Sequence, residues 1–142
     1  MALILQTPRL LVREFSLADA PALQLICGNR RTMRHVGDGT TLDLARCTEW
    51  IRVALRDYAG KGYGAWALFV RGAEPMAGYA GIVSAARRAD PEIIYALQPQ
   101  WWQQGLAGEL VPALLAHGFS RYGLPRIVAT VAPANIASCR AV

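Results

Sequence analysis

The amino-acid sequence predicts an α/β domain in which helices cover a mixed, mostly antiparallel sheet. Its segments follow the order strand, two helices, three strands, helix, strand and helix. The three consecutive strands favour antiparallel pairing, whereas the strand–helix–strand unit near the end favours a parallel pair. With 142 residues, the chain is expected to form a single domain.

The first predicted elements are one strand and one helix. Apolar residues surround Arg13 in residues 10–15, which predicts the strand. Asp19 stands where it could cap a helix over residues 21–27, whose first residue is a proline. Residues 29–39 are polar, basic and glycine-bearing, which predicts a loop.

A second helix is predicted to begin at Thr41 or Asp43 and to run to about Tyr58, because apolar residues recur along it at helical spacing. Two apolar runs follow at residues 65–70 and 77–83. They are joined by a short turn that contains glycine and proline. This pattern predicts a β-hairpin.

The remaining elements alternate between strand and helix. Residues 92–97 and 126–131 are predicted strands, residues 110–122 are a predicted helix, and residues 135–142 have helical potential. Pro112 falls inside the predicted helix, where it removes a backbone hydrogen bond. We therefore expect a kink there, or a regular helix that starts later.

Composition and charge limit the classes of function. Hydrophobic residues make up 54% of the chain and charged residues 18%, which argues against disorder and for a partly apolar surface that a homodimer could bury. The formal net charge is +5, but the basic residues form no run of five, so we expect no nucleic-acid-binding tail. No run of 18 apolar residues occurs, so we expect no membrane span.

The cysteines and histidines do not form a metal-binding pattern. Cys27, Cys47 and Cys139 are widely spaced without a C-x-x-C motif, and His35 and His117 are far apart. We therefore expect no metal site and no disulfide framework. Reduced thiols fit a cytosolic protein, and the N-terminus lacks the basic start of a signal peptide. Together these features predict a cytoplasmic location.

The most informative feature is the glycine-bearing turn between the strand at residues 92–97 and the helix that follows. Backbone N–H groups are unpaired at a helix start and the helix dipole is positive there, so we expect a phosphate-bearing ligand. The turn fits neither G-x-G-x-x-G nor G-x-x-x-x-G-K-[ST], which disfavours NAD and ATP. Glu109 lies in the first helical turn, where a carboxylate complements the dipole rather than binding phosphate.

Six segments, in order along nearly the whole chain, carry a resemblance to a known family. They read TPRLLVR (7–13), GYGAWA (62–67), GYAGI (78–82), EIIYAL (92–97), WQQGLAGE (102–109) and NIASCR (135–140). Together they resemble the GNAT superfamily of N-acetyltransferases, in the branch of RimJ and RimL that modifies protein N-termini and other amines. The resemblance implies a GNAT-like twisted sheet with a parallel strand pair at the cofactor cleft, and acetyl-CoA as the donor.

The resemblance also implies which residues bind acetyl-CoA. The family turn carries (Q/R)-x-x-G-x-(G/A); here Trp102 takes the first place, as is frequent in the RimL branch, and Gln103 stands where that branch usually has glycine. Backbone amides of the turn would bind the pyrophosphate, and the preceding strand would hold the pantetheine arm by main-chain hydrogen bonds. The implied cofactor-binding residues are Ile94, Tyr95, Ala96, Leu97, Gln103, Gln104, Gly105, Leu106, Ala107, Gly108, Asn135 and Ser138.

For catalysis, the resemblance implies roles for Glu92, Ser138 and Tyr95. An alkylammonium, with a pKa of roughly 10, must lose a proton before it attacks a thioester, and Glu92 could accept that proton. Ser138 would donate a proton to the leaving thiolate, and Tyr95 would line the same cleft. Simpler interpretations are an exposed strand-end acid for Glu92, a core aromatic for Tyr95, and a helix start for Asn135 and Ser138.

The predicted function is therefore acetyl transfer from acetyl-CoA to a primary amine, on a protein N-terminus or a small molecule, by direct attack. The alternatives are a non-catalytic acyl-CoA-binding or regulatory module and, on charge alone, a basic nucleic-acid-binding domain.

The acceptor pocket is expected to come from residues 30–39, the second helix and residues 63–66. In that pocket Arg31, Arg34 and His35 either favour an acidic acceptor or belong to a solvated loop. Relatives continue with a further pair of strands, so residues 1–142 are expected to form one GNAT-like domain without its C-terminal strands.

Overall fold

Five strands in sequential order form one antiparallel sheet in the computed structural model, which describes residues 2–34, 36, 39–84 and 90–129. The strands are β1 (Leu3–Gln6), β2 (Leu10–Arg13), β3 (Ala65–Val70), β4 (Gly78–Ser84) and β5 (Pro91–Leu97). Each strand pairs antiparallel with the next one along the chain. The predicted β3–β4 hairpin and antiparallel sheet are therefore confirmed.

Four α-helices lie among the described residues: α1 (Ala20–Cys27), α2 (Arg30–Met33), α3 (Leu44–Lys61) and α4 (Leu106–Tyr122). The buried side chains of α1 and α3 pack on one face of the sheet, and those of α4 on the other. Each strand contributes side chains to both cores, because successive side chains along a strand point to opposite faces of the sheet. In the described part of the chain, no helix combines the length and the apolar character that a bilayer span requires.

Helix α3 follows the prediction. Asp43 caps its start, because the backbone N–H of Arg46 donates to Asp43 Oδ1 at 2.8 Å. Its end is set by Gly62, whose φ of 87° is left-handed and favours glycine. Cys47, Ile51 and Ala54 are the fully buried residues on its inner face.

The start of the chain differs from the prediction at three points. Strand β1 was not predicted. Residues 29–39 are not all loop, because the Asn29 side chain accepts from the backbone N–H groups of Arg31 and Thr32 and so caps the short helix α2. Asp19 does not cap α1: its carboxylate binds Arg13 at 2.8 and 2.9 Å and the backbone N–H of Ser16 at 2.8 Å.

Helix α4 begins four residues before the predicted start and includes Pro112. After it, the predicted parallel pairing is present as one bridge, in which Ile93 N–H donates to Val128 O at 2.9 Å and Val128 N–H donates to Pro91 O at 2.8 Å. Residues 130–131 of that predicted strand, the predicted helix at 135–142, and the predicted site residues His35, Asn135 and Ser138 lie outside the described residues.

Candidate active site

The turn between β5 and α4 has the backbone shape of an anion-binding nest. Gln103 has a φ of 59° and Gly105 a φ of 77°, whereas Gln104 between them has a negative φ. Alternating φ signs direct successive backbone N–H groups toward one side of a turn, which makes a concave anion site. Gln103 is the only non-glycine residue in the described ranges with a positive φ. A left-handed conformation of this kind favours glycine.

The first turn of α4 adds further N–H groups to this nest. Leu106, Ala107 and Gly108 are the first three helical residues, and N–H groups at such positions have no acceptor within the helix. Gly105 precedes them and has no side chain with which to cap them. A methyl group added at Gly108 would have no neighbour within 4 Å, so there is open space beside the helix start. The residues therefore fit a phosphate group.

Strand β5 precedes this turn, with one 3₁₀ turn (Pro99–Trp101) between them, and presents main-chain groups on its edge away from β4. Ile93 N–H and Pro91 O bond to Val128 on that edge, whereas Gln98 N–H donates to Ala77 O at 2.8 Å on the other. By alternation, the main-chain groups of Tyr95 and Leu97 point away from β4. The main-chain groups of Ile94 and Ala96 point toward β4. Of the residues predicted to bind the pantetheine arm through their main chain (94–97), only Tyr95 and Leu97 therefore direct main-chain groups to the open edge.

The side chains of Glu92 and Tyr95 lie on opposite faces of β5. Glu92 is opposite Val83 in the sheet register and shares its face with Ile94, on the side of α1 and α3. Tyr95 packs against the core that contains α4. The expectation that Tyr95 lines the same cleft as Glu92 is thus corrected, because an odd separation along a strand reverses the face.

A cleft of about 560 Å³ lies on the Glu92 face of the sheet. Its lining includes all three segments from which the acceptor pocket was expected, through Met33 and Val36, helix α3, and Ala65, and is completed by residues of α1 and of strands β4 and β5. The lining is mostly apolar and includes Trp50, whose ring meets the Tyr79 ring edge to face at 4.9 Å.

The charged groups of this cleft lie on the last turns of α3. Lys61 Nζ donates to Ser84 Oγ at 2.8 Å and lies 3.9 Å from Asp57 Oδ1. Cys27 also lines the cleft, but burial, with the neighbouring Cys47 thiol adding to it, raises the pKa of Cys27 to about 12. A thiol with a raised pKa is mostly protonated at neutral pH, which disfavours Cys27 as a nucleophile.

The turn is also tied to the start of the chain, a contact that sequence reasoning missed. Arg9 Nη1 donates to Gln104 O at 2.7 Å, and Arg9 Nε donates to Glu109 Oε1 at 2.8 Å. Glu109 Oε2 accepts from the backbone N–H of Arg9 at 2.9 Å and from the Thr7 hydroxyl. Thr7 and then Arg9 hold the pKa of Glu109 at about 2. Besides complementing the helix dipole, Glu109 therefore anchors the hairpin that β1 and β2 form, the N-terminal hairpin.

Trp102 connects the turn to β5 and to α2. Its indole N–H donates to Leu97 O at 2.7 Å, and the Arg31 guanidinium carbon lies 5.1 Å from its ring centroid. Arg30, Arg31 and Arg34 line a shallow surface depression of about 600 Å³ beside α2. Arg31 therefore places a positive charge beside the turn.

Comparison with known proteins identifies the family. Residues 9–142 match the acetyltransferase (GNAT) domain family. The chain is 31% identical over 140 residues to YoaA, an uncharacterized N-acetyltransferase of Bacillus subtilis (strain 168). The aligned region covers 96% of this chain and 78% of YoaA.

Solved structures show the same fold. An acetyltransferase from Agrobacterium tumefaciens str. C58 matches 99% of this chain and 80% of its own, with a TM-score of 0.82 and 26% identity. RimL, a ribosomal L7/L12 alpha-N-protein acetyltransferase in complex with coenzyme A, also matches 99% of this chain and 80% of its own, with a TM-score of 0.82 and 18% identity. These matches confirm the predicted fold and enzyme class, and the chain belongs to the GNAT acetyltransferase family.

Proposed function

We propose that the chain transfers an acetyl group from acetyl-CoA to a primary amine, with the turn between β5 and α4 as the pyrophosphate site. The observation that carries the proposal is the nest at residues 103–105 followed by the N–H groups of Leu106, Ala107 and Gly108. The RimL structure of the same fold contains coenzyme A, which supports this choice of ligand.

The edge of β5 would hold the pantetheine arm. Tyr95 and Leu97 direct main-chain groups away from β4, and an extended chain can add there as a further strand. Leu97 O already accepts from the Trp102 indole, which leaves Leu97 N–H for this role. A main-chain N–H on this edge would also stabilise the negative charge that develops on the acetyl oxygen.

The acceptor amine would enter through the cleft between α3 and the sheet. Bound acetyl-CoA supplies the activated thioester that the amine nitrogen attacks. Glu92 shares the face of this cleft, and its carboxylate would accept the proton that the amine loses. Ser138 keeps its proposed role as proton donor to the thiolate, and Asn135 its proposed contact with the cofactor.

A binding and turnover experiment tests this proposal. We expect coenzyme A to bind by isothermal titration, and acetyl-CoA to be consumed with one or more amines from a panel of N-terminal peptides, polyamines and aminoglycosides. Absence of coenzyme A binding to the folded chain would contradict the proposal. Binding without turnover on any amine would instead support the alternative, a non-catalytic acyl-CoA-binding module.

We further propose a cytoplasmic location, which the free thiols Cys27 and Cys47 support because thiols persist in reducing compartments. The homodimer stays a prediction, which sedimentation equilibrium with and without acetyl-CoA would test.

A further inference from the structure

We propose that Arg9 is a positioning residue that fixes the conformation of the cofactor turn, so that cofactor affinity depends on a residue of the N-terminal hairpin. This inference rests on the proposed function, because it assigns to Arg9 a role toward the same pyrophosphate site. Arg9 and Glu109 are separated by 100 positions in sequence, yet three hydrogen bonds join Arg9 to Gln104 and Glu109.

The peptide between Gln104 and Gly105 explains how Arg9 acts. In a trans peptide the C=O and N–H bonds point to opposite sides. Because Arg9 Nη1 holds the Gln104 carbonyl at 2.7 Å, the Gly105 N–H points away from Arg9, toward the opposite side of the turn. If this peptide flipped, a carbonyl oxygen would replace an N–H donor in the nest and would repel a phosphate.

Glu109 fixes the guanidinium that makes this contact. It accepts from Arg9 Nε and from the Arg9 backbone, while the Thr7 hydroxyl orients the same carboxylate. The Arg9 side chain is 47% exposed, so without Glu109 it would be free to sample other rotamers. Glu109 therefore also helps to position the turn, by holding Arg9, although its negative charge cannot bind a phosphate itself.

The negative charge of Glu109 and its positioning role predict opposite effects of Glu109→Gln on coenzyme A affinity, so this variant tests the inference. Glu109→Gln removes a negative charge beside an anion site, so simple electrostatics predicts tighter binding of coenzyme A. Positioning predicts weaker binding, because Arg9 is no longer held. We expect isothermal titration to show coenzyme A affinity reduced about tenfold in Arg9→Ala and about three- to tenfold in Glu109→Gln. In the double variant, the loss should be no greater than in Arg9→Ala, since the two residues act as one unit.

Kinetic and exchange measurements separate positioning from a general loss of structure. In Arg9→Ala, the KM for acetyl-CoA should rise while kcat at saturating acetyl-CoA and amine changes less than about twofold, since the reacting groups lie elsewhere. Amide hydrogen exchange at Glu109, whose backbone N–H donates to Gly105 O at 3.1 Å, should be faster in Arg9→Ala without any ligand present. If Arg9→Ala does not fold, Arg9→Lys, which keeps the charge but not the two-sided contact, should show the same faster exchange.

The controls distinguish this inference from the proposed function. Arg56 on α3 is 66% exposed and pairs with Glu49 at 3.3 Å, so Arg56→Ala removes an equal charge far from the turn and should leave coenzyme A affinity unchanged. Wild-type protein that binds no coenzyme A would refute the proposed function, whereas the exchange comparison would still test Arg9. Unchanged exchange at the Glu109 amide in the Arg9 variants, or tighter coenzyme A binding by Glu109→Gln, would overturn the inference.

Discussion

At the scale of single residues, Gln103 occupies a backbone conformation that favours glycine. Its φ of 59° is left-handed, which costs an L-residue about 1–2 kcal/mol. We expect Gln103→Gly to raise the free energy of unfolding by about 0.5–1 kcal/mol, since part of this relief is offset by the greater freedom of glycine in the unfolded chain. Urea denaturation measures the change.

Gln104→Gly is the matched control for that prediction, because Gln104 has a negative φ. It should lower the free energy of unfolding by about 0.5–1 kcal/mol. Equal effects at positions 103 and 104 would show that Gln103 is not strained.

Glu92 is the carboxylate expected to assist the acceptor amine. We expect Glu92→Gln to lower kcat/KM for the amine about a hundredfold, a typical contribution of a general base, with coenzyme A affinity unchanged. Steady-state kinetics and titration measure the two quantities. Glu49→Gln, which changes an exposed carboxylate on the outer face of α3, should leave both unchanged. A similar loss in both variants would refute the role of Glu92.

Glu109 gives a stability prediction with a defined sign. Its folded pKa of about 2 lies below the value of about 4.3 expected in an unfolded chain, so its contribution is present above pH 4.3 and is lost as the pH falls through 2. Because solvent screens this partly exposed ion pair, we expect Glu109→Gln to lower the free energy of unfolding by only about 1 kcal/mol at pH 7. Urea denaturation should show the wild-type advantage shrinking between about pH 4.3 and pH 2. An advantage that grows in that window would contradict the assignment.

At the scale of elements, the approach of β4 to β5 depends on Gly78. A methyl group at Gly78 would lie 1.9 Å from the Ala96 carbonyl oxygen, which is backbone and cannot rotate away. We therefore expect Gly78→Ala to lower the free energy of unfolding by about 3 kcal/mol and to separate the two strands locally. Thermal and urea denaturation measure the loss.

Gly60→Ala tests the same substitution where space is open. Gly60 lies within α3, and an added methyl group would meet nothing within 4 Å. Alanine should therefore raise the free energy of unfolding by up to about 1 kcal/mol through its better helix propensity. If Gly60→Ala destabilised the protein as Gly78→Ala does, the space available for the added methyl group would not explain the effect at Gly78.

At the scale of the whole molecule, ligand binding should stabilise the folded state. Acetyl-CoA at 100 times its dissociation constant adds about 2.7 kcal/mol to the free energy of unfolding, which for a chain of this size raises Tm by roughly 5–10 °C. Differential scanning fluorimetry measures the shift. ATP is the control, because an equal shift with ATP would indicate a general polyanion site instead of one fitted to coenzyme A.

Much of the fold was predictable because its signals are local. The apolar spacing and Asp43 cap of α3, and the two runs of the β3–β4 hairpin, each lie within about twenty residues. Strand β1 and helix α2 have four residues each, too few for a periodicity to be recognised. Strand β1 depends on pairing with β2, and α2 on the Asn29 cap.

The candidate site was predictable in part for the same reason. The turn at residues 102–109 is contiguous, so its anion-binding shape could be inferred from its glycines and the following helix. That Glu92 and Tyr95 lie on opposite faces could also have been inferred, because they are an odd number of positions apart in the predicted strand. The contacts of Arg9 with Gln104 and Glu109 could not be inferred, because one sequence carries no signal that couples positions so far apart.

The link between the N-terminal hairpin and the cofactor turn has a consequence for biosynthesis. Arg9 is synthesised 100 residues before Glu109, so its ion pair cannot form until the last described helix, α4, has been made. Contacts of such separation form late and slow folding, because the intervening loop must close first. Nascent chains arrested before residue 109 would therefore lack the cofactor turn in its final form. Coenzyme A capture by stalled chains of increasing length would report when the two ends of the domain meet.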